Sequence, residues 1–239
     1  MSFYSAFAED YERVFPFREE VYRFLRANAG DPGGRVLDVG CGPGHYCGRF
    51  VTDGYSATGI DMDSSMIAEA TRRHPEATFF CLDMRAADSV GSGFRSIYSI
   101  GNVLAHLRQE ELSLFTAKVY SMLEPGGCWI IQVMNWDAFG LLNEYEFPEK
   151  TIGSAGRVET FHRHYVFNGP DSVTFSISLR QAGNVLFEEQ TMLYPASTEW
   201  YLRLHESAGF RCTGVQADFI GSPLRSDPGT GLVMSFRRE

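Results

Sequence analysis

Val36-Leu37-Asp38-Val39-Gly40-Cys41-Gly42-Pro43-Gly44-His45-Tyr46 is a short apolar run that breaks into alternating glycines. Residues 36–39 read as a strand buried on both faces. Glycines at 40, 42 and 44 let the chain bend sharply and let a ligand approach the backbone closely. Helical spacing then runs over 46–53 and stops at Gly54. A strand, a glycine bend and a helix in that order place a binding site beyond the strand's carboxyl end, where the first N–H groups of the helix point outward.

The unit recurs along the first half of the chain. Residues 56–61 read as a strand, 64–73 as a helix and 77–82 as a strand; then come a strand over 96–100, a helix over 109–123 and a strand over 128–133. Such alternation predicts an α/β fold, doubly wound around a mostly parallel sheet. The pattern then changes. Segments 157–167, 172–181 and 185–194 are strand-like and are separated by Asn168-Gly169-Pro170-Asp171 and Ala182-Gly183-Asn184, turn sequences typical of antiparallel hairpins. A helix over 198–208 ends at Gly209, and strands near 211–219 and 231–237 close the chain. The expected organisation is an N-terminal helical arm or lid (1–30), a core (31–137 and 196–239) and an antiparallel β insertion capping the substrate (138–195). The arm carries Tyr4, Phe7, Tyr11, Phe15 and Phe17 at nearly helical spacing.

Composition narrows the partners. With 239 residues, 44% of them hydrophobic, the chain can bury a sizeable core. A net charge of -9 and no basic cluster denser than Arg72-Arg73-His74 argue against nucleic acid. No run is long and apolar enough to cross a bilayer, so no membrane partner is expected. The five cysteines form no CxxC pair, which fits a reducing, cytoplasmic location. A homo-oligomer is compatible with these features.

A nicotinamide dinucleotide would call for G-x-G-x-x-G, with glycine where His45 stands. The spacing is instead G-x-G-x-G. With Asp38 before it and Asp61 ending the next strand, the segment resembles motif I and the following acidic position of class I S-adenosylmethionine-dependent methyltransferases. The resemblance implies that fold's seven-stranded sheet, with S-adenosyl-L-methionine as cofactor and S-adenosyl-L-homocysteine as product. It implies a cofactor site at Asp38, Gly40, Cys41, Gly42, Gly44, Tyr46, Asp61, Met62, Asp83, Met84 and Gly101, with Asp61 accepting from both ribose hydroxyls. Cys81-Leu82-Asp83-Met84 resembles the segment that receives the adenine amino group, and Leu123-Glu124-Pro125-Gly126-Gly127 resembles the turn before the fifth strand.

Within the family, the Asn/Asp-Pro-Pro-aromatic motif of nucleic-acid amino-methylating enzymes is replaced by Gly101-Asn102-Val103-Leu104-Ala105-His106-Leu107, which resembles a segment of glycine and sarcosine N-methyltransferases. Asn135-Trp136-Asp137, Tyr194-Pro195 and Ala217-Asp218-Phe219 resemble further segments of that group. Arg18 falls where the group has an arginine that pairs with the methionine carboxylate of the cofactor. Residues 131–134 replace a charged His-Arg stretch, which argues against glycine itself as substrate. The resemblance implies catalytic roles for Asn102, His106 and Asn135, and acceptor contacts for Tyr11, Asn135, Arg157 and Tyr194.

A carboxylate on the acceptor would call for a guanidinium fork, for which Arg157, Arg163 and Arg180 are candidates. His162 and His164 share one face of a strand but lack a third ligand, so no metal is expected. Cys41 reads as a small loop residue. The expected function is methyl transfer to a small-molecule partner, an amine or amino-acid-like nitrogen. The alternatives are O-methylation of a small metabolite and a regulator that binds the cofactor without turnover.

Overall fold

The glycine bend sits at the centre of the molecule because the strand before it, β1 (Arg35–Val39), is the middle of a seven-stranded sheet. The computed structural model describes residues 11–154 and 157–239, without the side chains of Ser154 and Arg157. Tyr4, Phe7 and the rest of the first ten residues of the expected arm lie outside the described residues.

Around β1 stand β2 (Ser56–Asp61), β3 (Thr78–Cys81), β4 (Phe94–Ser99) and β5 (Leu123–Met134), all parallel, with β11 (Phe210–Gln216) and β12 (Gly231–Arg238) beyond β5. The order is β11-β12-β5-β4-β1-β2-β3. Only β12 runs against its neighbours, pairing antiparallel with both β5 and β11. The sheet is thus mostly parallel, as expected from its near-continuous apolar strands. The direction of winding reverses between β1 and β4, and in open sheets of this kind ligands bind in the crevice above that point.

Helices α3 (His45–Thr52), α4 (Ser64–Arg73), α5 (Gln109–Met122) and α6 (Thr198–Ser207) connect the strands, with α1 (Tyr11–Val14) and α2 (Glu19–Ala27) preceding them. Their starts follow from side-chain caps. Asp63 accepts from the amides of Ser65 and Met66 at the head of α4, and the Ser197 hydroxyl accepts from Trp200 at the head of α6. Beneath the sheet edge, Trp129 donates its indole N–H to His205 Nε2 at 3.0 Å, and His205 stacks on Phe236. His205 is fully buried, and desolvation lowers its pKa to about 4, so the ring is a neutral core group.

The insertion is a second, five-stranded antiparallel sheet. It contains β8 (Arg157–Phe167), β9 (Val173–Gln181) and β10 (Asn184–Leu193), with β6 (Glu144–Glu146) and β7 (Lys150–Ser154) side by side along the other edge of β8. The last two are short and polar, and only pairing with β8 makes them strands. The expected strand over 211–219 ends earlier, at Gln216, because Asp218 accepts from the amides of Ile220 and Ser222 and turns the chain. The arm helix α1 bridges both sheets: Glu12 pairs with Arg73 of α4, and Arg13 lies 3.1 Å from the buried Glu159 of β8.

Candidate active site

The glycine bend is pinned from below and open above. The amides of Gly40 and Cys41 donate to the Ile60 carbonyl of β2 at 2.8 and 3.0 Å, and Gly42 donates to Asp61 Oδ2 at 2.9 Å. Gly40 has φ +81°, and a Cβ there would stand 2.5 Å from Val103, whereas a Cβ at Gly42 would meet only the rim of Tyr11 at 3.7 Å. Gly40 therefore lets the bend pack, and Gly42 leaves room above it.

That room is a cleft of about 260 Å³ lined by Gly40, Gly42, Asp61, Met62, Asp83, Met84, Gly101 and His106, with Ile60, Met66, Leu82, Ile100 and Leu107 as apolar walls. Asp61 ends β2 and aims its carboxylate at this space. Burial pushes its pKa above the ordinary value, while the amides of Asp63 and Gly42 act in the other direction. Each oxygen accepts one amide, at 2.9 Å, which leaves lone pairs free for hydroxyl donors. Asp83 lines the cleft too, but it also caps the following turn through the Arg85 amide and grips the Arg85 guanidinium at 2.7 Å, a partner that sequence reading missed. Arg85 holds the Asp83 carboxyl below its ordinary pKa. A cleft with a bare backbone floor, apolar walls and a carboxylate at one side fits an adenosyl group.

A second cavity of about 440 Å³ opens between the parallel sheet and the insertion. It is walled by Phe147, Phe161, Tyr165 and Phe175 of the insertion, by Phe15 of the arm, and by Asn102, Gln132 and Met134 at the ends of the parallel strands. Tyr11, Gly101 and His106 line both spaces, so the cleft and the cavity meet there. Asn102 adopts a left-handed φ of 67° and accepts from the Met134 amide at 3.0 Å, tying the β4 turn to the end of β5. His106 is half-buried, and desolvation alone lowers its pKa to about 4. Its ring has no hydrogen-bond partner among the described residues.

Other residues singled out from the sequence lie elsewhere. Asp38 is buried under the bend and lines neither space; burial pushes its carboxyl to about 8, opposed by the neighbouring Tyr98 hydroxyl. Cys41, Gly44 and Tyr46 support the bend from behind: the buried Cys41 thiol is pushed far up by desolvation, Gly44 is the left-handed N-cap of α3, and Tyr46 packs on Phe17. Arg18 lines the larger cavity and not the cleft, with Nε 2.8 Å from Glu20. Asn135 and Tyr194 reach neither space. The Asn135 amide is committed to the Arg225 carbonyl at 2.8 Å, and the Tyr194 ring lies under the Arg108 guanidinium. Arg180 faces the outer side of the insertion sheet, and the Arg157 side chain lies outside the described residues. The larger-cavity aromatics Phe147 and Phe175, together with Lys150, escaped sequence reading. Alternation of Phe161, Arg163 and Tyr165 with His162 and His164 was the one local signal for that cavity.

Residues 36–127 match the family model described as a methyltransferase domain. Human glycine N-methyltransferase is 33% identical over 122 residues, covering 43% of this chain and 41% of that protein. The ubiquinone biosynthesis O-methyltransferase of Nitrobacter winogradskyi is 32% identical over 112 residues, covering 45% of this chain and 42% of the relative. The chain thus spans about two fifths of the length of the curated relatives it matches. A crystal structure of an S-adenosylmethionine-dependent methyltransferase from Clostridium acetobutylicum superposes with a TM-score of 0.79 at 14% identity, covering 98% of both chains, which shows a shared fold.

Proposed function

We propose, on the premise that this chain carries a class I S-adenosylmethionine-dependent methyltransferase domain, that it methylates a nitrogen of a small-molecule acceptor. The observation that carries the reading is the meeting of two differently built spaces at Tyr11, Gly101 and His106. One has the lining of an adenosyl site; the other is aromatic and larger than a glycine molecule needs.

When bound, S-adenosylmethionine supplies a methyl group on a sulfonium and leaves as S-adenosylhomocysteine. Gly40 and Gly42 would offer it bare backbone, Asp61 would receive its ribose hydroxyls, Asp83 would stand at the adenine edge, and Met62 and Met84 would cover the ring. The remaining work is placement, since an in-line displacement gains most of its acceleration from holding the partners in line. A partly desolvated cavity that already holds Arg163 and Lys150 penalises an ammonium and favours the neutral, nucleophilic amine. His106 stays neutral throughout the physiological range, so it orients the acceptor by receiving its N–H, and the proton departs to water. Asn102 fixes the turn that carries Gly101 and His106. Tyr11 and Phe15 of the arm close the site against solvent. A reducing cytoplasm suits five free cysteines.

Calorimetry with S-adenosylhomocysteine, followed by mass spectrometry of an amine panel incubated with S-adenosylmethionine, tests the proposal. A product heavier by one methylene is expected. Absence of S-adenosylhomocysteine binding at millimolar concentration sinks the reading. Binding without product from any amine, phenol or alcohol would leave a cofactor-binding regulator.

A further inference from the structure

The larger cavity holds two cations, Arg163 and Lys150, that have no carboxylate partner among the described residues. Arg163 stands between Phe161 and Tyr165 on the inward face of β8, its Nε buried and without a hydrogen-bond partner among the described residues. Its guanidinium lies over the Phe147 ring at 4.6 Å. Lys150 of β7 pairs in register with Phe161, which puts it diagonally next to Arg163 on the same face. Its ammonium lies over the Phe15 ring at 4.8 Å and reaches only a backbone carbonyl, that of Val14, at 3.2 Å.

The one carboxylate among the described lining residues is Asp218, and it is occupied by the amides of Ile220 and Ser222. Arg18, the third cation of the cavity, has Glu20 beside it. Desolvation lowers the pKa of both Arg163 and Lys150, and for Lys150 the neighbouring Arg163 adds to the effect. A guanidinium held among aromatic rings without a counter-ion is unfavourable unless the occupant brings one. Neither cation lines the cleft, so the occupant they address is the acceptor. The ends of the parallel strands present only the neutral Asn102, Gln132 and Met134 to the cavity, and the insertion supplies the two cations without a carboxylate beside them.

We infer that the methyl acceptor is an anion with an aromatic or apolar body, its carboxylate or phosphate gripped by Arg163 with Lys150 and its ring seated among Phe147, Phe161, Tyr165 and Phe175. The inference rests on the methyl-transfer reading for the word acceptor, but the anion site itself can be tested apart from it. An Arg fork and an ammonium bind either oxyanion, the fork in two parallel N–H contacts.

The test is calorimetry on the full chain saturated with S-adenosylhomocysteine, using phenylacetate, phenyl phosphate and the uncharged phenylacetamide as probes. At least one acid should bind about tenfold or more tightly than the amide, as a charge-assisted contact requires. The tighter of the two acids identifies the oxyanion. Arg163→Met should abolish that advantage and Lys150→Met should reduce it, while affinity for S-adenosylhomocysteine changes less than about threefold. Equal binding of acids and amide, an advantage that survives in both variants, or no binding of either acid at millimolar concentration overturns the inference. A tenfold loss of S-adenosylhomocysteine affinity in Arg163→Met also overturns it, because the cation would then serve the cofactor. If Arg163→Met does not fold, the acid–amide comparison on the wild-type protein and Lys150→Met still decides. If S-adenosylhomocysteine fails to bind the wild-type protein, methyl transfer falls, and the same comparison without it judges the anion site.

Discussion

Replacing Asp61 by alanine removes the one carboxylate that both braces the glycine bend and faces the cleft. In the folded protein its two oxygens accept from Gly42 and Asp63, each at 2.9 Å, and their free lone pairs are what two ribose hydroxyls would meet. Hydrogen bonds to a charged acceptor contribute about 1.5–3 kcal/mol each, so losing two ligand contacts costs about 3–6 kcal/mol of binding. That range corresponds to a rise of about two to four powers of ten in the Kd for S-adenosylhomocysteine, with about 100-fold as the least expected effect. Asp61→Asn keeps the shape but turns one acceptor into a donor that faces a backbone N–H, and should fall between alanine and wild type. The assay is titration calorimetry on variants whose melting curves and circular dichroism show a folded protein. A folded Asp61→Ala variant that binds within threefold of wild type would refute the cofactor site and the methyl-transfer proposal with it.

Gly40→Ala and Gly42→Ala should separate packing from ligand access. The first forces a Cβ to 2.5 Å from Val103 and should destabilise the fold by about 1–3 kcal/mol in chemical denaturation; the second should cost about 1 kcal/mol yet weaken S-adenosylhomocysteine binding. Acid should weaken the protein through two desolvated histidines. The unfolded chain protonates His106 and His205 near their ordinary pKa of 6.5, whereas the folded chain resists until about 4. Stability is therefore complete above that ordinary value and falls as the pH drops through the window, by about 3 kcal/mol for each ring. His205→Gln should flatten part of the slope, and an unchanged slope contradicts the neutral-core assignment. His106→Ala should lower kcat/KM about 10–100-fold without altering the pH profile between neutrality and pH 6, since the ring does not titrate there. Alkylation of the native protein followed by peptide mapping should label Cys81 and Cys212, which are exposed, well before Cys41, Cys47 and Cys128.

The cofactor side was legible because its information is local. Residues 36–46 carry strand, bend and helix within one turn of chain, and Asp61 is marked simply by ending the next strand. Parallel order followed from alternation, although β5 starts at Leu123, five residues before the apolar run, since Leu123 pairs with Phe94 across the Pro-Gly-Gly bend. The acceptor side was not legible in the same way. Glu144-Tyr145-Glu146 and Lys150 to Ser154 become strands only by pairing with β8, and that pairing puts Lys150 beside Phe161. The three candidate arginines could not be ranked without knowing which face of the insertion is covered. Arg163 shares the covered face with Phe161 and Tyr165, and Arg180, opposite Thr160, takes the other. Asn135 and Tyr194 were singled out by resemblance, but a carbonyl of the Arg225 loop claims the first and Arg108 the second.

The walls of the two spaces come from different stretches of chain. Apart from Tyr11 and Thr191, every described residue around the cleft belongs to positions 40–107, whereas the Arg and Lys side chains of the larger cavity and, Phe219 excepted, its Phe and Tyr rings are drawn from the arm and from positions 147–193. Under the proposed function, mutational drift in the insertion would re-tailor the acceptor while leaving the cleft's own walls intact. The relatives matched over about two fifths of their length carry names as different as a glycine N-methyltransferase and a ubiquinone-biosynthesis O-methyltransferase. Transplanting 138–195 between such proteins is the corresponding engineering route to a new acceptor.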